Sequence, residues 1–205
     1  MSKPPKAMGI VGILLISMLS TGCLALPVQR ELMESWRDPP VLLDKPIQAG
    51  WSHSFDTGAT LDSVIFQAET ELVFDETVAK LEITFRAQLP WSDQIEEIIG
   101  NDTNEVRYVE ARMWEPGTKS SGGDPFWELR VTKDYPLDRF QWPGPFEEGN
   151  WILEVEARGY GITTPVDQAS FHDQFDLLAT ITMPCVRFPQ THDQGECTFL
   201  SELEY

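Results

Sequence analysis

The chain has 205 residues, with 15 Lys and Arg against 33 Asp and Glu and a formal net charge of −18. A surface of that sign repels nucleic acid and anionic headgroups, which argues against both as partners of the folded part. Hydrophobic residues make up 41% and include 7 Trp and 11 Phe. That is ample for one packed core and excludes disorder as the default for the middle of the chain.

The first two dozen residues run Lys3-Pro-Pro-Lys6, then an uncharged stretch, then Cys23. A short basic segment, an apolar core from Met8 to Leu19 and small residues before a cysteine make up a secretory signal. Leu19-Ser-Thr-Gly-Cys23 resembles the lipobox of membrane-anchored lipoproteins. The resemblance implies a signal peptide over 1–22 and a lipid on the Cys23 thiol. The mature chain would then start at Cys23, with 183 residues and 13 basic against 33 acidic side chains, a net of −20. The alternative is an uncleaved transmembrane helix, because 23 residues between Lys6 and Arg30 carry no charge and about 20 span a bilayer. Either anchor leaves the rest of the chain outside the cytoplasm.

Residues 23–50 read as a tether. Pro27, Pro39, Pro40 and Pro46 interrupt it, and only Gln29 to Arg37 suits a short helix, with Leu32, Met33 and Trp36 on one side. Such a tether would hold the domain a few nanometres from the membrane.

From Trp51 the period becomes two. Trp51, His53 and Phe55 alternate with serines; Val64, Phe66 and Ala68 follow a turn; and Leu81, Ile83, Phe85, Ala87 and Leu89 alternate with polar residues. Ser92 to Ile99 is predicted as a helical turn stopped by Gly100. Val109, Ala111 and Met113 form the next strand, Pro116 to Pro125 a long loop, and Trp127, Leu129 and Val131 another strand. A shorter one holds Phe140 and Trp142. After an aromatic corner, Trp151, Leu153, Val155 and Ala157 oppose Glu154, Glu156 and Arg158. Phe175, Leu177, Ala179 and Ile181 make the last strand, which Pro184 is expected to end. About eight strands without a long amphipathic helix predict an all-β antiparallel sandwich over 51–183, with a separate segment over 184–205. The Phe146-Glu-Glu-Gly149 turn and Trp-led strand resemble the P-domain and pre-peptidase C-terminal jelly rolls. Those families bind calcium through loop carboxylates beside a protease, and no protease domain occurs in this sequence.

Once lipid occupies Cys23, Cys185 and Cys197 remain as an even pair in an oxidising compartment, and a disulfide is expected. A loop of this size would contribute about 2–3 kcal/mol. Pro184 and Gly195 would let it fold back. His172-Asp173 and His192-Asp193 are weak metal-ligand candidates, since an exposed polar loop would carry the same residues. The carboxylates Asp75-Glu76, Glu96-Glu97 and Glu147-Glu148 lie at turns, where they would hold Ca²⁺ or simply be solvated. Trp91, Trp114, Trp127 and Trp142 are candidates for a sugar-stacking platform or for core. Asn101-Asp-Thr103 is an N-glycosylation sequon. No Gly-x-Ser-x-Gly elbow or Cys–His couple occurs, and no cofactor is implied. Three functions are carried forward: a non-enzymatic, lipid-anchored module for a protein or cell-envelope polymer, a carbohydrate-binding module, and an enzyme with an unrecognised site.

Overall fold

The computed structural model describes residues 27, 29–56, 63–92, 97, 106–163 and 170–203. Cys23, Asn101 and most of the predicted turn at 92–99 lie outside them. Two compact units divide the chain: Leu43–Cys185 with Thr198–Tyr205, which holds the sandwich, and Met1–Leu42 with Val186–Cys197. In the second unit, helix α1 occupies 29–35, and Gln190 donates to the Asp38 carbonyl at 3.1 Å. Among the described residues no helix is long and apolar enough to cross a membrane.

The strands in chain order are β1 (Val41–Ser54), β2 (Val64–Phe74), β3 (Lys80–Gln88), β4 (Tyr108–Trp114), β5 (Trp127–Val131), β6 (Tyr135–Pro143), β7 (Gly149–Gly159), β8 (Gly161–Ile162), β9 (Phe171–His172), β10 (Gln174–Arg187) and β11 (Thr198–Phe199). Eight have five residues or more. One sheet runs β1-β10-β3-β6, with β11 on β10; the other runs β2-β7-β4-β5. Among the long strands, the first therefore pairs with the eighth, the second with the seventh, the third with the sixth and the fourth with the fifth. A single long hairpin has that pairing, and wrapping it adds the β10–β3 and β7–β4 contacts. The fold is thus an antiparallel sandwich with jelly-roll order.

Alternation places one face of each strand in the core. Leu81, Ile83, Phe85 and Ala87 from β3 and Phe175, Leu177, Ala179 and Ile181 from β10 meet Val109, Ala111 and Met113 from β4 and Trp151, Leu153, Val155 and Ala157 from β7. The aromatic corner before β7 closes one end. Trp151 stacks on Phe74 at 4.6 Å and meets Phe126 edge-on at 5.0 Å. Its indole N–H donates to the Glu147 carbonyl at 2.7 Å. Truncating so buried a tryptophan to Ala costs about 3–5 kcal/mol.

Three sequence boundaries move. The first strand, β1, starts at Val41 and not at Trp51, so residues 41–50 do not belong to the expected tether. Polar and apolar residues mix over 41–50, yet Ile47 and Ala49 pack on the core, and Pro46 is tolerated because β1 is an edge strand. At Gly50 a Cβ would lie 2.0 Å from the Leu177 carbonyl oxygen, so only glycine lets β1 approach β10 there. Pro184 does not end its strand: β10 continues to Arg187, and its register with β3 stops at Thr182, before the missing N–H would be needed on that side. The loop Pro116–Pro125 contains a short helix, α2 (Thr118–Ser121), flanked by Gly117 and Gly122 in left-handed conformations.

Cys185 and Cys197 are disulfide-bonded. Gly195, between them, sits at φ 94° with open space around its Cα, which suits the turn that brings the chain back.

Candidate functional site

The outer face of the β2-β7-β4-β5 sheet is densely charged. Period two in β7 sends Trp151, Leu153, Val155 and Ala157 inward and therefore Glu154, Glu156 and Arg158 outward. Register then aligns charges across strands. Glu69 on β2 faces Glu154, which faces Arg112 on β4, which faces Glu128 on β5. One row along, Gln67 faces Glu156, then Glu110, then Arg130.

Like charges directly opposite destabilise a sheet, so this surface stands only through its cations. Lys119, on α2, reaches Glu69 at 2.8 Å and Glu154 at 3.2 Å. The Glu69 hydrogen bond raises the pKa of Lys119 against the effect of burial, with Glu154 adding to it. The Trp114 indole N–H donates to the other Glu154 oxygen at 2.8 Å. Glu110, only 6% exposed, accepts from Arg112 and from Arg130 at 2.6 Å. The Arg130 guanidinium lies 4.1 Å over the Tyr108 ring. Burial, followed by the hydrogen bond to Glu156, raises the Tyr108 phenol pKa.

The face holds six carboxylates, Glu69, Glu71, Glu110, Glu128, Glu154 and Glu156, against Arg112, Lys119, Arg130 and Arg158. A shallow depression of about 310 Å³ lies over β2 and β7, lined by Gln67, Glu69, Glu154 and Glu156 with the backbone of Ala68 and Val155. Of the four cations, Lys119 alone is carried outside the strands, on a four-residue helix. An incoming ammonium or guanidinium would find Glu154 held by the Trp114 indole, with the more exposed Glu69 beside it.

A second polar cluster sits at the ends of five of the long strands, β1, β3, β4, β7 and β10. Arg107, just before β4, and Asp173, between β9 and β10, are both fully buried. The Arg107 Nε donates to Asp173 at 2.8 Å, its Nη2 donates to the second Asp173 oxygen and to the Pro90 carbonyl at 2.6 Å, and its Nη1 reaches Ser92 at 3.4 Å. The Tyr160 N–H donates to the Asp173 carboxylate, the Asp173 N–H donates to the Tyr160 carbonyl, and the Phe55 N–H donates to the Asp173 carbonyl, each at 2.8 Å. His172 Nδ1–H donates to the Phe55 carbonyl at 2.9 Å. Gly161 passes so close that a Cβ would lie 1.8 Å from that oxygen. With the Arg107 and Asp173 side chains fully buried at its centre, the arrangement is a staple between strand ends.

The residues singled out in the sequence fare unevenly. Asp173 is consumed by this staple. His192 accepts at Nδ1 from the Phe188 N–H at 3.0 Å, and the Asp193 N–H donates to Glu196 at 3.1 Å. Among the described residues no group of three or more His, Cys, Asp or Glu is placed to hold a metal. Asp75 accepts from the N–H and hydroxyl of Thr77 at 2.8 and 2.6 Å. Burial raises its pKa, but the hydrogen bonds from Thr77, Ser201 and Val78 outweigh this and leave it lowered.

The four tryptophans do not assemble into a platform. Trp127 is buried against Phe140 at 5.3 Å, Trp142 packs on Phe126 at 5.2 Å, and Trp114 lies half-buried in the charged face. Trp91 is 57% exposed at φ 66°. The sequence reading did not find Lys119, Glu110 or Arg107. Alternation says only that a residue points outward, and nothing local says which strand lies beside it.

No protein-family model matches the chain, and no curated protein does. A solved chain from turnip yellow mosaic virus is similar at 12% identity over 77% of this chain and all of its own, with a TM-score of 0.25. A likeness that slight carries no argument about fold or function.

Proposed function

We propose that this protein is a membrane-anchored, extracytoplasmic jelly-roll module that acts by binding, without turnover, and that it presents the outer face of the β2-β7-β4-β5 sheet to a cationic protein or cell-envelope polymer. One observation carries the reading: Glu69 and Glu154 stand directly opposite each other in the sheet and, among the described residues, share Lys119, from a short loop helix. Two opposed carboxylates sharing one lysine ammonium, supplied from a loop helix and not from the sheet itself, can exchange it for a partner's cation. The disulfide supports an oxidising compartment, and the lipobox-like segment supplies the anchor.

Crosslinking in intact cells, followed by identification of what co-purifies, tests the reading. The Glu69→Gln, Glu154→Gln double variant should lose the crosslinked partner while keeping its fold, since exposed pairs contribute only about 0.2–1 kcal/mol each. Capture that persists unchanged overturns the assignment of this face. For the anchor, Cys23→Ser should abolish lipidation, seen in the mass of the N-terminus. Unchanged processing and membrane retention would favour the helix anchor.

Trp91 favours a second reading as a carbohydrate-binding module, because its exposed ring is held in the left-handed region beside Pro90, whose carbonyl Arg107 holds. Glycan-array binding that disappears in Trp91→Ala would select this reading over the first.

A further inference from the structure

Helix α1 and the turn that follows it carry one apolar stripe, exposed at each of its three residues. Leu32, Met33 and Trp36 are 49%, 58% and 77% exposed. At 100° per residue they fall within about 100° of the helix circumference. Arg30, Glu31, Glu34 and Arg37 occupy the opposite side. Arg30 is paired with Glu34 at 2.9 Å, and the Arg37 N–H donates to the Glu34 carbonyl at 3.2 Å, closing the last turn. The stripe of a helix in a folded protein normally faces a core. Here it faces outward on a chain that is otherwise strongly acidic.

We infer that α1 lies in the membrane–water interface, with Leu32, Met33 and Trp36 inserted among the lipid headgroups and upper acyl chains. This rests on the anchor proposed above. Five residues separate Cys23 from Gln29, six steps with a reach of at most about 20 Å, so an anchored chain delivers α1 to the bilayer surface. If the anchor is the uncharged stretch itself, α1 follows it directly. A tryptophan beside two aliphatic side chains, with charges on the far side, is the composition the interface selects. The helix's two arginines and two glutamates cancel, so apolar burial holds it and added salt should not release it.

The test uses the full-length protein in intact cells fed a photoactivatable phosphatidylcholine whose reactive group sits high in the acyl chain. Trypsin cuts after Arg30 and Arg37, isolating Glu31–Arg37 with the whole stripe. This peptide should carry the lipid adduct. The Leu32→Ser, Met33→Ser, Trp36→Ser variant should lose it, with unchanged thermal unfolding and an unchanged N-terminal peptide. A protein retained in the membrane whose 31–37 peptide carries no lipid, or crosslinks only to another protein, overturns this inference and leaves the anchor standing. Release of the wild-type protein from the membrane overturns both.

Discussion

Removing the Asp173 carboxylate should be the most damaging single change outside the hydrophobic core. Arg107 and Asp173 are both completely buried, and the Arg107 guanidinium also holds the Pro90 carbonyl. Asp173→Ala leaves that cation without its counter-ion, and an orphaned buried charge costs about 3–5 kcal/mol. The Tyr160 N–H loses an acceptor as well, which adds about 1–3 kcal/mol where water cannot enter. For a domain of this size each kcal/mol moves Tm by about 2–4 °C, so the pair loss alone predicts a fall of roughly 6–20 °C. Urea unfolding by circular dichroism should show a lower midpoint at unchanged slope. The double variant Arg107→Met, Asp173→Leu separates the charge from the packing: with no charge left to orphan, it should recover most of the stability lost in the single variant. A single variant within about 1 kcal/mol of wild type would mean that water reaches the pair, and the account of a dry staple would be wrong. A double variant no more stable than the single would show that the loss was one of shape.

His53 stacks on Phe66 at 4.3 Å and meets Phe55 edge-on at 4.7 Å, and burial lowers its pKa below the usual 6.5. The unfolded chain therefore binds the proton first as pH falls, so stability present above about pH 6.5 should decline toward pH 5, and His53→Leu should flatten that decline in a Tm-against-pH series. Native, unreduced protein should show no thiol labelling at Cys185 or Cys197; Cys185→Ala with Cys197→Ala should lose about 2–3 kcal/mol and open the 186–197 loop to protease while the strand signal in circular dichroism persists. Gly161→Ala should be more destabilising than an exposed glycine change such as Gly122→Ala, because its Cβ has no room beside the Phe55 carbonyl oxygen, whereas Gly122 has open space and only its left-handed φ to lose; equal melting points for the two would refute the close approach.

The one-dimensional pattern determined which residues are inside. Leu81 to Leu89 and Trp151 to Ala157 alternate strictly, and a half-buried strand can point such side chains only one way, so the core, the sandwich class and the count of long strands were legible from period two alone. So was the Cys185–Cys197 disulfide, expected in the sequence on the premise that Cys23 is set aside for lipid. Where alternation is weak, the strands were hidden: 41–50 contains Pro46 and Gly50 and belongs to β1 because an edge strand tolerates the one and a close approach to β10 requires the other. Only the tertiary structure decided which strands are neighbours. Glu69 and Glu154 lie 85 positions apart in the sequence, and Arg107 and Asp173 lie 66 apart. Whether such charges repel, pair or share a lysine depends on register across a sheet, a long-range property set by the wrapping of the whole hairpin and carried by no local pattern.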